Sequence, residues 1–451
     1  MSKNNNKLMV IGGGLAGCEA AWQAAERGIS VEIYEMRPKV TTGAHTGGDL
    51  AELVCSNSLG SNLKDRASGV LKEELRIAGS LLVECAEKAA VPAGNALAVD
   101  RKVFSSEIEN RLTGHSGIKI IREEIKHIPD DRPVILASGP LSSPSISQEI
   151  TKICGTDNLF FYDAIAPIIE YSSIDLNTAY IASRYDKNNE DDGDYINCPF
   201  SKDEYEAFVN ALTSAQRIPL KTFEADIDSG VQAGKMSFFE GCLPVEVLAG
   251  RSMQALAFGP MRPVGLIDPR TGKRPWAVLQ LRQDNLSGSL YNMVGFQTNL
   301  LHKEQERVFR MIPGLENAQF VRYGQMHRNT YICAPGVLNA SLQMIKHPSV
   351  FFAGQLCGVE GYMGNIAAGL LAGINASRYI NGGKLLTLPD EMISGALFKY
   401  ISSSDPKHFQ PMKANFGILP PLENKTKSKR ERYLLYSQRA LNKANELFRK
   451  E

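Results

Sequence analysis

The N-terminal segment constrains the fold of this chain more than any other. A short apolar run at 8–11 predicts a strand, and Gly-Gly-Gly-Leu-Ala-Gly follows it at 12–17. An alanine-rich segment then predicts an amphipathic helix, and a second strand at 31–35 ends in an acid, Glu35. Strand, GxGxxG turn, helix, strand and acid in this order are the fingerprint of a Rossmann dinucleotide-binding unit. We therefore predict an α/β fold built on a parallel sheet.

The glycines of the turn have separate predicted roles. Gly12 permits the tight turn, Gly14 lets the backbone approach a pyrophosphate, and Gly17 lets the helix pack on the sheet. The helix N-terminus offers N–H groups to the phosphates, and Glu35 is expected to bind the ribose hydroxyls. A glycine-rich turn with a purely structural role is the alternative. The residues predicted to bind the dinucleotide here are Gly12, Gly13, Gly14, Leu15, Ala16, Gly17 and Glu35.

Two later segments indicate which dinucleotide is bound. Strands at 133–140 and 350–355 end in glycine turns, and the second runs into a helix of small residues at 366–373. This layout is similar to that of two-dinucleotide-type flavoproteins, in which the late helix directs its N-terminus at the flavin. The resemblance implies FAD as the cofactor. Its further predicted ligands are Gly354, Gln355, Gly361 and Asn365. The small residues also suit close helix packing, and one helix can serve both purposes.

The pattern changes in the middle of the chain, which predicts an inserted domain. Alternating runs at 168–171 and 178–182 predict strands, an acidic loop follows at 188–194, and 201–214 predicts a helix. At typical domain sizes, 451 residues suffice for two or three domains. We expect a Rossmann-like FAD-binding domain whose first part is 1–150 and whose second part is 333–451. An α+β substrate domain at 151–332 interrupts it.

Composition and charge exclude several classes of protein. Hydrophobic residues make up 43% and charged residues 22%, which is typical of globular proteins and excludes a disordered chain. No apolar run reaches the roughly 20 residues of a membrane helix, and the first strand leaves no room for a secretory signal. We therefore expect a cytoplasmic protein that does not bind membranes. A net charge of +1 means that any contact with nucleic acid uses a local basic surface. The eight cysteines form no CxxC pair, which predicts free thiols and no metal site.

Two cysteines stand in settings that suit catalysis. Cys55 is followed by Ser and Asn shortly after the dinucleotide unit, where we expect it near the ring of a bound flavin. A buried, inert thiol is the alternative. Cys242 lies in a turn between a Gly and a Pro, and many cations surround it in the sequence. Basic surroundings lower the pKa of a thiol and attract phosphates, although a solvated basic loop explains the same residues.

Two basic segments are candidates for contact with a phosphate backbone. One lies in the inserted domain, and the other is an amphipathic helix near the C-terminus whose leucines at 434, 435, 441 and 447 are expected to pack inward. A plain solvated helix face is the alternative for the second. The candidate RNA-binding residues are Arg251, Arg274 and Arg282 in the first segment and Lys429, Arg430 and Arg432 in the second. A dense group of polar side chains at 325–331, which includes His327 and Arg328, is also typical of a site.

Eight segments together carry a family resemblance. They are the glycine-rich turn at 12–17, AELVCSNSL (51–59), PAGNALAVDR (92–101), FFEGCLPVEVLA (238–249), GPMRPVGL (259–266), MHRNTY (326–331), FFAGQLCGVEGY (351–362) and NFGILPPL (415–422). In combination they resemble the TrmFO family of folate- and FAD-dependent RNA uridine methyltransferases, from about residue 8 to the C-terminus. The related MnmG family shares the FAD layout but is longer, with a C-terminal helical domain.

The resemblance implies a chemistry that uses two thiols. One thiolate adds to C6 of the uracil, and the resulting enolate attacks the methylene group of 5,10-methylenetetrahydrofolate. A base then removes the C5 proton, tetrahydrofolate leaves, and a hydride from reduced FAD turns the exocyclic methylene into the methyl group. In this scheme Cys242 suits the nucleophile and Cys55 the base. NAD(P)H would reduce the flavin again.

The resemblance also implies folate contacts and an RNA substrate. His327 is the candidate for stacking on the pterin, with His45 as competitor, and Arg328 or Arg101 for binding the glutamate tail. The expected substrate is uridine 54 in the T-loop of tRNA, and a 23S rRNA uridine is the alternative. An NAD(P)H-dependent flavin oxidoreductase of a small molecule and a non-catalytic RNA-binding flavoprotein are further alternatives. The route of the methylene group, direct or through flavin N5, and the oligomeric state stay open.

Overall fold

The computed structural model describes residues 7–42, 44–45, 47–155, 159–184, 193–218, 232–238, 243–423 and 428–449. At 159–163, 232–238 and 327–328 it describes the backbone alone. The helices are α1 (Leu15–Ala25), α2 (Ala67–Ile77), α3 (Leu81–Lys88), α4 (Arg101–Thr113), α5 (Pro144–Cys154), α6 (Lys202–Ser214), α7 (Val245–Ala249), α8 (Ala255–Phe258), α9 (His302–Phe309), α10 (Tyr362–Ile380), α11 (Ile393–Ser403) and α12 (Lys429–Phe448).

The strands follow the same numbering along the chain. They are β1 (Lys7–Ile11), β2 (Ser30–Tyr34), β3 (Ser58–Ser61), β4 (Ala90–Val91), β5 (Ala96–Val99), β6 (Ile118–Ile121), β7 (Val134–Leu136), β8 (Leu159–Ala164), β9 (Ile168–Glu170), β10 (Tyr180–Ile181), β11 (Tyr195–Phe200), β12 (Gln232–Phe238), β13 (Ala277–Gln283), β14 (Leu290–Met293), β15 (Phe320–Arg322), β16 (Met326–Tyr331), β17 (Val350–Phe352), β18 (Val359–Glu360) and β19 (Met412–Lys413).

A five-stranded parallel sheet carries the dinucleotide unit, with strand order β17-β7-β1-β2-β6. β1 pairs in parallel with β2 and β7, and β17 pairs with the other edge of β7. The inner strands β7 and β1 are buried on both faces over almost their whole length, as in parallel sheets that helices cover on both sides. The strands predicted at 8–11, 31–35, 133–140 and 350–355 are β1, β2, β7 and β17. The predicted Rossmann-like α/β fold is therefore confirmed.

Glycines let α1 and α10 pack closely against each other. A Cβ on Gly369 would lie 2.2 Å from the backbone oxygen of Ala16, and one on Gly373 would lie 2.4 Å from that of Ala20. No other residue fits at either position without moving the two helices apart. Helix packing is thus one of the two purposes expected for the small residues of α10, and the N-terminus of the same helix reaches the site described below.

The middle of the chain builds a second apolar core on a six-stranded sheet of order β10-β11-β13-β14-β9-β15. This core uses residues between 169 and 318, whereas the first core uses residues of 8–154 and 331–440. The helix predicted at 201–214 is α6, and Ser201 caps it in a reciprocal pair of hydrogen bonds with Glu204. The domain boundaries at 150/151 and 332/333 stay predictions. Positions 188–192 of the predicted acidic loop lie outside the described residues.

The C-terminal helix α12 packs only partly as predicted, because Leu441 and Leu447 contact the first core but two other leucines do not. Leu434 and Leu435 are 46% and 42% exposed, so the expectation that they pack inward is wrong. The buried face instead runs through the small residues Ser437, Ala440 and Ala444. Small side chains let α12 approach α2 closely, and Leu434 and Leu435 are left toward solvent. In the part of the chain that the structure describes, no helix is long and apolar enough to cross a membrane.

Candidate functional site

A cleft opens where the parallel strands end, which is where open α/β sheets bind ligands. Its walls come from the turn between β1 and α1, the residues after β2, the turn after β7, and the segment from β17 to the start of α10. Eight residues predicted to bind the dinucleotide line it: Gly12, Gly14, Leu15, Ala16, Glu35, Gly354, Gln355 and Asn365.

The three predicted turn glycines differ in what surrounds them. Gly12 has φ +107°, and a Cβ there would lie 2.4 Å from the backbone oxygen of Ala137. A Cβ on Gly17 would lie 1.9 Å from the backbone oxygen of Gly12. A Cβ on Gly14 would meet nothing within 4 Å, although Gly14 lines the cleft. Gly12 and Gly17 are therefore glycines because the backbone packs there, whereas Gly14 keeps space open at the N-terminus of α1.

Two helix N-termini meet at the cleft. α1 begins after Gly14 and α10 after Gly361, and neither N-cap residue has a side chain that could bind the first N–H groups. Such N–H groups, together with the helix dipole, attract an anion such as a pyrophosphate. Asn365, in the first turn of α10, has a buried Oδ1 without a hydrogen-bond partner among the described residues. A ligand that donates a hydrogen bond in the cleft would satisfy it.

Glu35 fixes the turn and faces the cleft. Its Oε2 accepts a hydrogen bond from the N–H of Gly13, and its Oε1 accepts from the backbone N–H and Nε of Arg37, each at 2.9 Å. Burial by itself would raise the pKa of Glu35, but the Arg37 guanidinium and these hydrogen bonds outweigh it and hold the pKa below its ordinary value. The ionised carboxylate is thus available as an acceptor for ribose hydroxyls.

Three of the predicted ligands lie behind the cleft wall. Gly13 holds Glu35, Gly17 packs on Gly12, and Gly361 begins α10 beside a neighbouring cavity. Arg37, which is not among the residues predicted from the sequence, lines the cleft and is also 2.8 Å from a second carboxylate, Glu52. A cation two positions after the acid that ends β2 is the signal that could have found it.

Cys55 lies at the edge of the cleft, next to Val54, which lines it. Its N–H donates a hydrogen bond to the hydroxyl of Tyr362 at 3.0 Å, which ties it to the start of α10. Its Sγ lies 3.9 Å from the backbone oxygen of Ala164, at the end of β8. The thiol is half-buried, so it is neither a core residue nor fully exposed.

Partly buried arginines hold the segment that carries Cys55, which we call the Cys55 loop (53–57). Arg101, at the start of α4, donates from Nη2 to the backbone oxygen of Cys55 at 3.0 Å. Arg322, at the end of β15, donates from Nη2 to the backbone oxygen of Val54 at 2.7 Å. Because β15 belongs to the inserted sheet, the loop is held from both cores. Arg322 was not among the residues predicted from the sequence.

A third arginine corrects one of the sequence predictions. Arg282, a candidate RNA contact, is only 7% exposed and donates to Ser56 Oγ at 2.7 Å and Asn57 Oδ1 at 3.0 Å. The RNA assignment is wrong for Arg282, because it lies on β13, an inner strand that is buried on both faces. Arg101, a candidate for the folate tail, is likewise engaged, since its Nε lies 3.1 Å from Asp284 Oδ2.

Positive charge is in excess around the Cys55 loop. Among the described residues, these three arginines have one carboxylate as a hydrogen-bond partner, that of Asp284, which binds Arg101. Burial lowers the pKa of Arg282, and burial together with the charge of Arg101 lowers that of Arg322. All three arginines nevertheless stay charged, because arginine is not deprotonated in proteins. An anion at the Cys55 loop is therefore favoured electrostatically.

Three predicted residues are described in part or not at all. Cys242 lies outside the described residues, and its role stays a prediction. His327 and Arg328 lie on β16, whose antiparallel pairing sets them opposite Asp163 and Tyr162 of β8. The structure describes the backbone alone at these two positions.

The remaining candidate RNA contacts lie on two separate elements. Arg251 and Arg274 are exposed on the inserted domain, and Lys429, Arg430 and Arg432 are exposed at the start of α12. These assignments stay predictions.

Comparison with known proteins supplies a family. A sequence model of the family described as glucose inhibited division protein A matches residues 7–384. A Heliobacterium modesticaldum protein named methylenetetrahydrofolate--tRNA-(uracil-5-)-methyltransferase TrmFO is 54% identical over 434 residues, which are 96% of each chain. The Natranaerobius thermophilus protein of the same name is 53% identical over 423 residues, 94% of this chain and 95% of its own. GidA of Aquifex aeolicus has a similar fold, with a TM-score of 0.69 at 15% identity over 98% of this chain and 75% of its own.

Fold and cleft together define a protein of the Rossmann-like FAD-binding class, with a second core inserted between two parts of the nucleotide-binding one. The solved structure of GidA has a similar overall fold. Identity above 50% over nearly the full length is more specific. The chain belongs to the TrmFO family, within the wider family of glucose inhibited division protein A.

Proposed function

We propose that this chain transfers a one-carbon unit from 5,10-methylenetetrahydrofolate to C5 of a uridine in tRNA, with FAD bound in the cleft. The observation that carries the proposal is the adjacency of a cleft that fits a dinucleotide and a half-buried cysteine that partly buried arginines hold beside it. The names of the relatives, which state a methylenetetrahydrofolate-dependent tRNA (uracil-5-)-methyltransferase, support the reaction and the class of substrate. A cytoplasmic location is part of the proposal.

The residues of the cleft fit FAD. The open space at Gly14 and the N-termini of α1 and α10 suit a pyrophosphate, Glu35 suits a ribose, and Asn365 Oδ1 lacks the donor that a ligand provides. Bound and reduced, FAD supplies the hydride that turns the transferred carbon into a methyl group. NAD(P)H is the proposed source of electrons.

The two cysteines have different proposed roles. The Cys242 thiolate adds to C6 of the uracil, which makes C5 nucleophilic, and it leaves after C5 has lost its proton. Cys55 is the base, and its sulfur takes up the C5 proton after C5 has gained the one-carbon unit. The excess positive charge of Arg101, Arg282 and Arg322 favours the anionic sulfur that this role requires.

The strand β16 supports a folate contact close to Cys55. Met326 pairs with Ala164, whose backbone oxygen is 3.9 Å from Cys55 Sγ, and His327 is the next residue. His327 is therefore the proposed pterin contact and Arg328 the proposed contact of the glutamate tail. His45, which lines the cleft, is the alternative to His327.

A methylation assay tests the proposal directly. Purified protein, FAD and NADPH are incubated with methylene-labelled 5,10-methylenetetrahydrofolate and either tRNA or a 23S rRNA fragment, both transcribed without modifications. We expect label in tRNA, at uridine 54 of the T-loop, and none in tRNA that carries cytidine there. Label in the rRNA fragment alone would support the alternative substrate. Label in neither RNA, with NADPH oxidised by a small-molecule acceptor, would contradict the methyltransferase function.

A further inference from the structure

One segment of the inserted domain, 251–276, carries an excess of positive charge. It follows α7 and leads into β13. Five Lys and Arg residues and a single acid give it a net charge of +4, against +1 for the whole chain. The acid, Asp268, lies 2.9 Å from Arg270 and offsets one of the cations. The cations, all exposed, are Arg251, Arg262, Arg270, Lys273 and Arg274.

The same segment exposes large apolar side chains. Phe258 is 77% exposed, more than any other large hydrophobic residue in the described part of the chain. Ile267 and Trp276 are 58% and 41% exposed, and Met253 and Val264 are exposed as well. Exposed apolar side chains among cations mark a surface that contacts a partner. The segment at 259–266 is also one of those that carry the family resemblance, and the proposed chemistry does not use it.

The exposed side chains stand on a fixed backbone. Leu256, Met261 and Leu266 lie between them and are buried. The backbone oxygen of Met261 also accepts a hydrogen bond from the N–H of Val278 on β13 at 2.9 Å. Anchoring of this kind reduces the conformational entropy that a binding surface loses when a partner is bound.

We infer that the 251–276 segment binds the RNA substrate, with its cations on phosphates and with Phe258 and Trp276 stacked on unpaired bases. Charge decides between the possible partners. A segment with a charge of +4 attracts a polyanion, whereas a second copy of this chain would bring an equal positive charge against it. Proteins that bind looped or single-stranded RNA stack bases on aromatic rings and hold the backbone with Lys and Arg. The inference rests on the proposed function, since the RNA is its substrate.

The start of α12 fits this role less well. Lys429 and Arg432 lie 5.5 and 5.9 Å from the ring centre of Tyr433, and Arg430 lies 3.8 Å from Asp65. The exposed apolar residues there are leucines, which have no ring for a base to stack on.

The test measures binding of a fluorescent, unmodified stem-loop RNA that contains the target uridine, at several salt concentrations, with the flavin-loaded full-length protein. We expect Phe258→Ala to raise the Kd roughly 5- to 150-fold, the effect of losing one base stack. Phe258→Tyr should bind as the wild type does, because it keeps a ring, whereas Phe258→Leu should behave like Phe258→Ala. Arg274→Gln should raise the Kd and lower the slope of log K against log salt by roughly 0.7–1.

Two exposed residues elsewhere provide matched controls. Ile345 and Lys346 are adjacent and exposed outside the inserted core, so Ile345→Ala and Lys346→Gln should leave the Kd unchanged. Replacement of the three cations at 429, 430 and 432 by Ala tests α12 in the same assay. Because Phe258 and Arg274 are exposed, their variants should keep the flavin and the melting temperature of the wild type.

Several outcomes would overturn the inference. One is an unchanged Kd in Phe258→Ala and Arg274→Gln while the wild type binds the stem-loop, and another is a loss of affinity in the α12 variant alone. Sedimentation that shows a wild-type oligomer and a monomeric Phe258→Ala would identify a protein interface instead. A wild type that binds the stem-loop but transfers no carbon contradicts the proposed function only. A wild type that binds no RNA contradicts both.

Discussion

Arg322 Nη2 donates a hydrogen bond to the backbone oxygen of Val54 at 2.7 Å and so joins two positions that are 268 residues apart. Val54 lines the dinucleotide cleft, whereas Arg322 ends a strand of the inserted sheet. Cys55 follows Val54 directly, so its position relative to the cleft depends on how the inserted core packs on the first one. The contact is thus both a structural link and a source of positive charge.

We expect Arg322→Gln to lower the rate of methyl transfer roughly 10- to 100-fold while the protein keeps its flavin. The substitution removes a charge-assisted hydrogen bond, which is worth about 1.5–3 kcal/mol. Single-turnover transfer of labelled carbon and the flavin absorbance measure the two quantities. Arg307→Gln is the control, because Arg307 pairs with Glu304 at the surface. Full activity in Arg322→Gln would show that this arginine does not act on the Cys55 loop.

Gly14→Val should fold and lose FAD. The backbone at Gly14 has φ −80°, which valine tolerates, and the added side chain would occupy the open space at the start of α1. Flavin absorbance after incubation with FAD measures the loss, and the melting temperature reports the fold. Gly250→Val is the control, since Gly250 has φ −66° and lies outside the cleft. A colourless wild type that takes up no FAD would contradict the proposed cofactor.

The two cysteines should fail in different ways with an RNA that carries 5-fluorouridine, in which C5 has no proton to lose after addition. Cys242→Ala should be inactive and form no trapped adduct, because the nucleophile is gone. Cys55→Ala should also be inactive but still form the adduct. Denaturing gels detect the adduct, and Cys333→Ala, another half-buried thiol, is the control. An adduct in Cys242→Ala alone would reverse the two roles.

Glu74 should make stability depend on pH. Burial raises its pKa from 4.5 to about 7, although the carboxylate accepts hydrogen bonds from Ile393 and Ser394 at the start of α11. Between pH 4.5 and about pH 7, the folded state holds the proton on Glu74 more tightly than the unfolded state does. The free energy of unfolding therefore falls as the pH rises, by on the order of 3 kcal/mol.

Glu74→Gln cannot titrate, so its free energy of unfolding should fall less over the same range. Urea denaturation at a series of pH values measures the difference between the two proteins. Glu304→Gln is the control for loss of a partly exposed carboxylate. Parallel pH profiles for the wild type and Glu74→Gln would contradict the prediction.

Gly369→Ala should destabilise the protein by about 1–3 kcal/mol, because an added methyl group forces α1 and α10 apart. The Cβ would lie 2.2 Å from the backbone oxygen of Ala16, whose helix starts at the cleft. The melting temperature and the affinity for FAD should both fall. Gly383→Ala is the control, since the nearest atom to a Cβ there is 3.4 Å away. If Gly369→Ala and Gly383→Ala were equally stable, α1 and α10 would tolerate the added methyl group, which would contradict the prediction.

The dinucleotide unit was predictable because its signals are local in the chain. β1, the glycine turn, α1, β2 and Glu35 follow one another between residues 7 and 35. Each signal acts through its own backbone or its nearest neighbours, as when Gly12 takes a positive φ or Gly17 approaches the turn. Of the eight predicted cofactor ligands that line the cleft, five belong to this local unit.

The sequence by itself determined the Rossmann-like fold and the family. The apolar strands and the glycine turn that indicate them can be recognised without knowing which distant residues are in contact. Only the tertiary structure decided what surrounds Cys55. Arg101, Arg282 and Arg322 reach its loop across 46, 226 and 268 residues. Basic residues look alike in a sequence whether they face water or not, so Arg282 was mistaken for an RNA contact. Its burial follows from the place of β13 inside a sheet, and that place is set by strand pairing between distant parts of the chain.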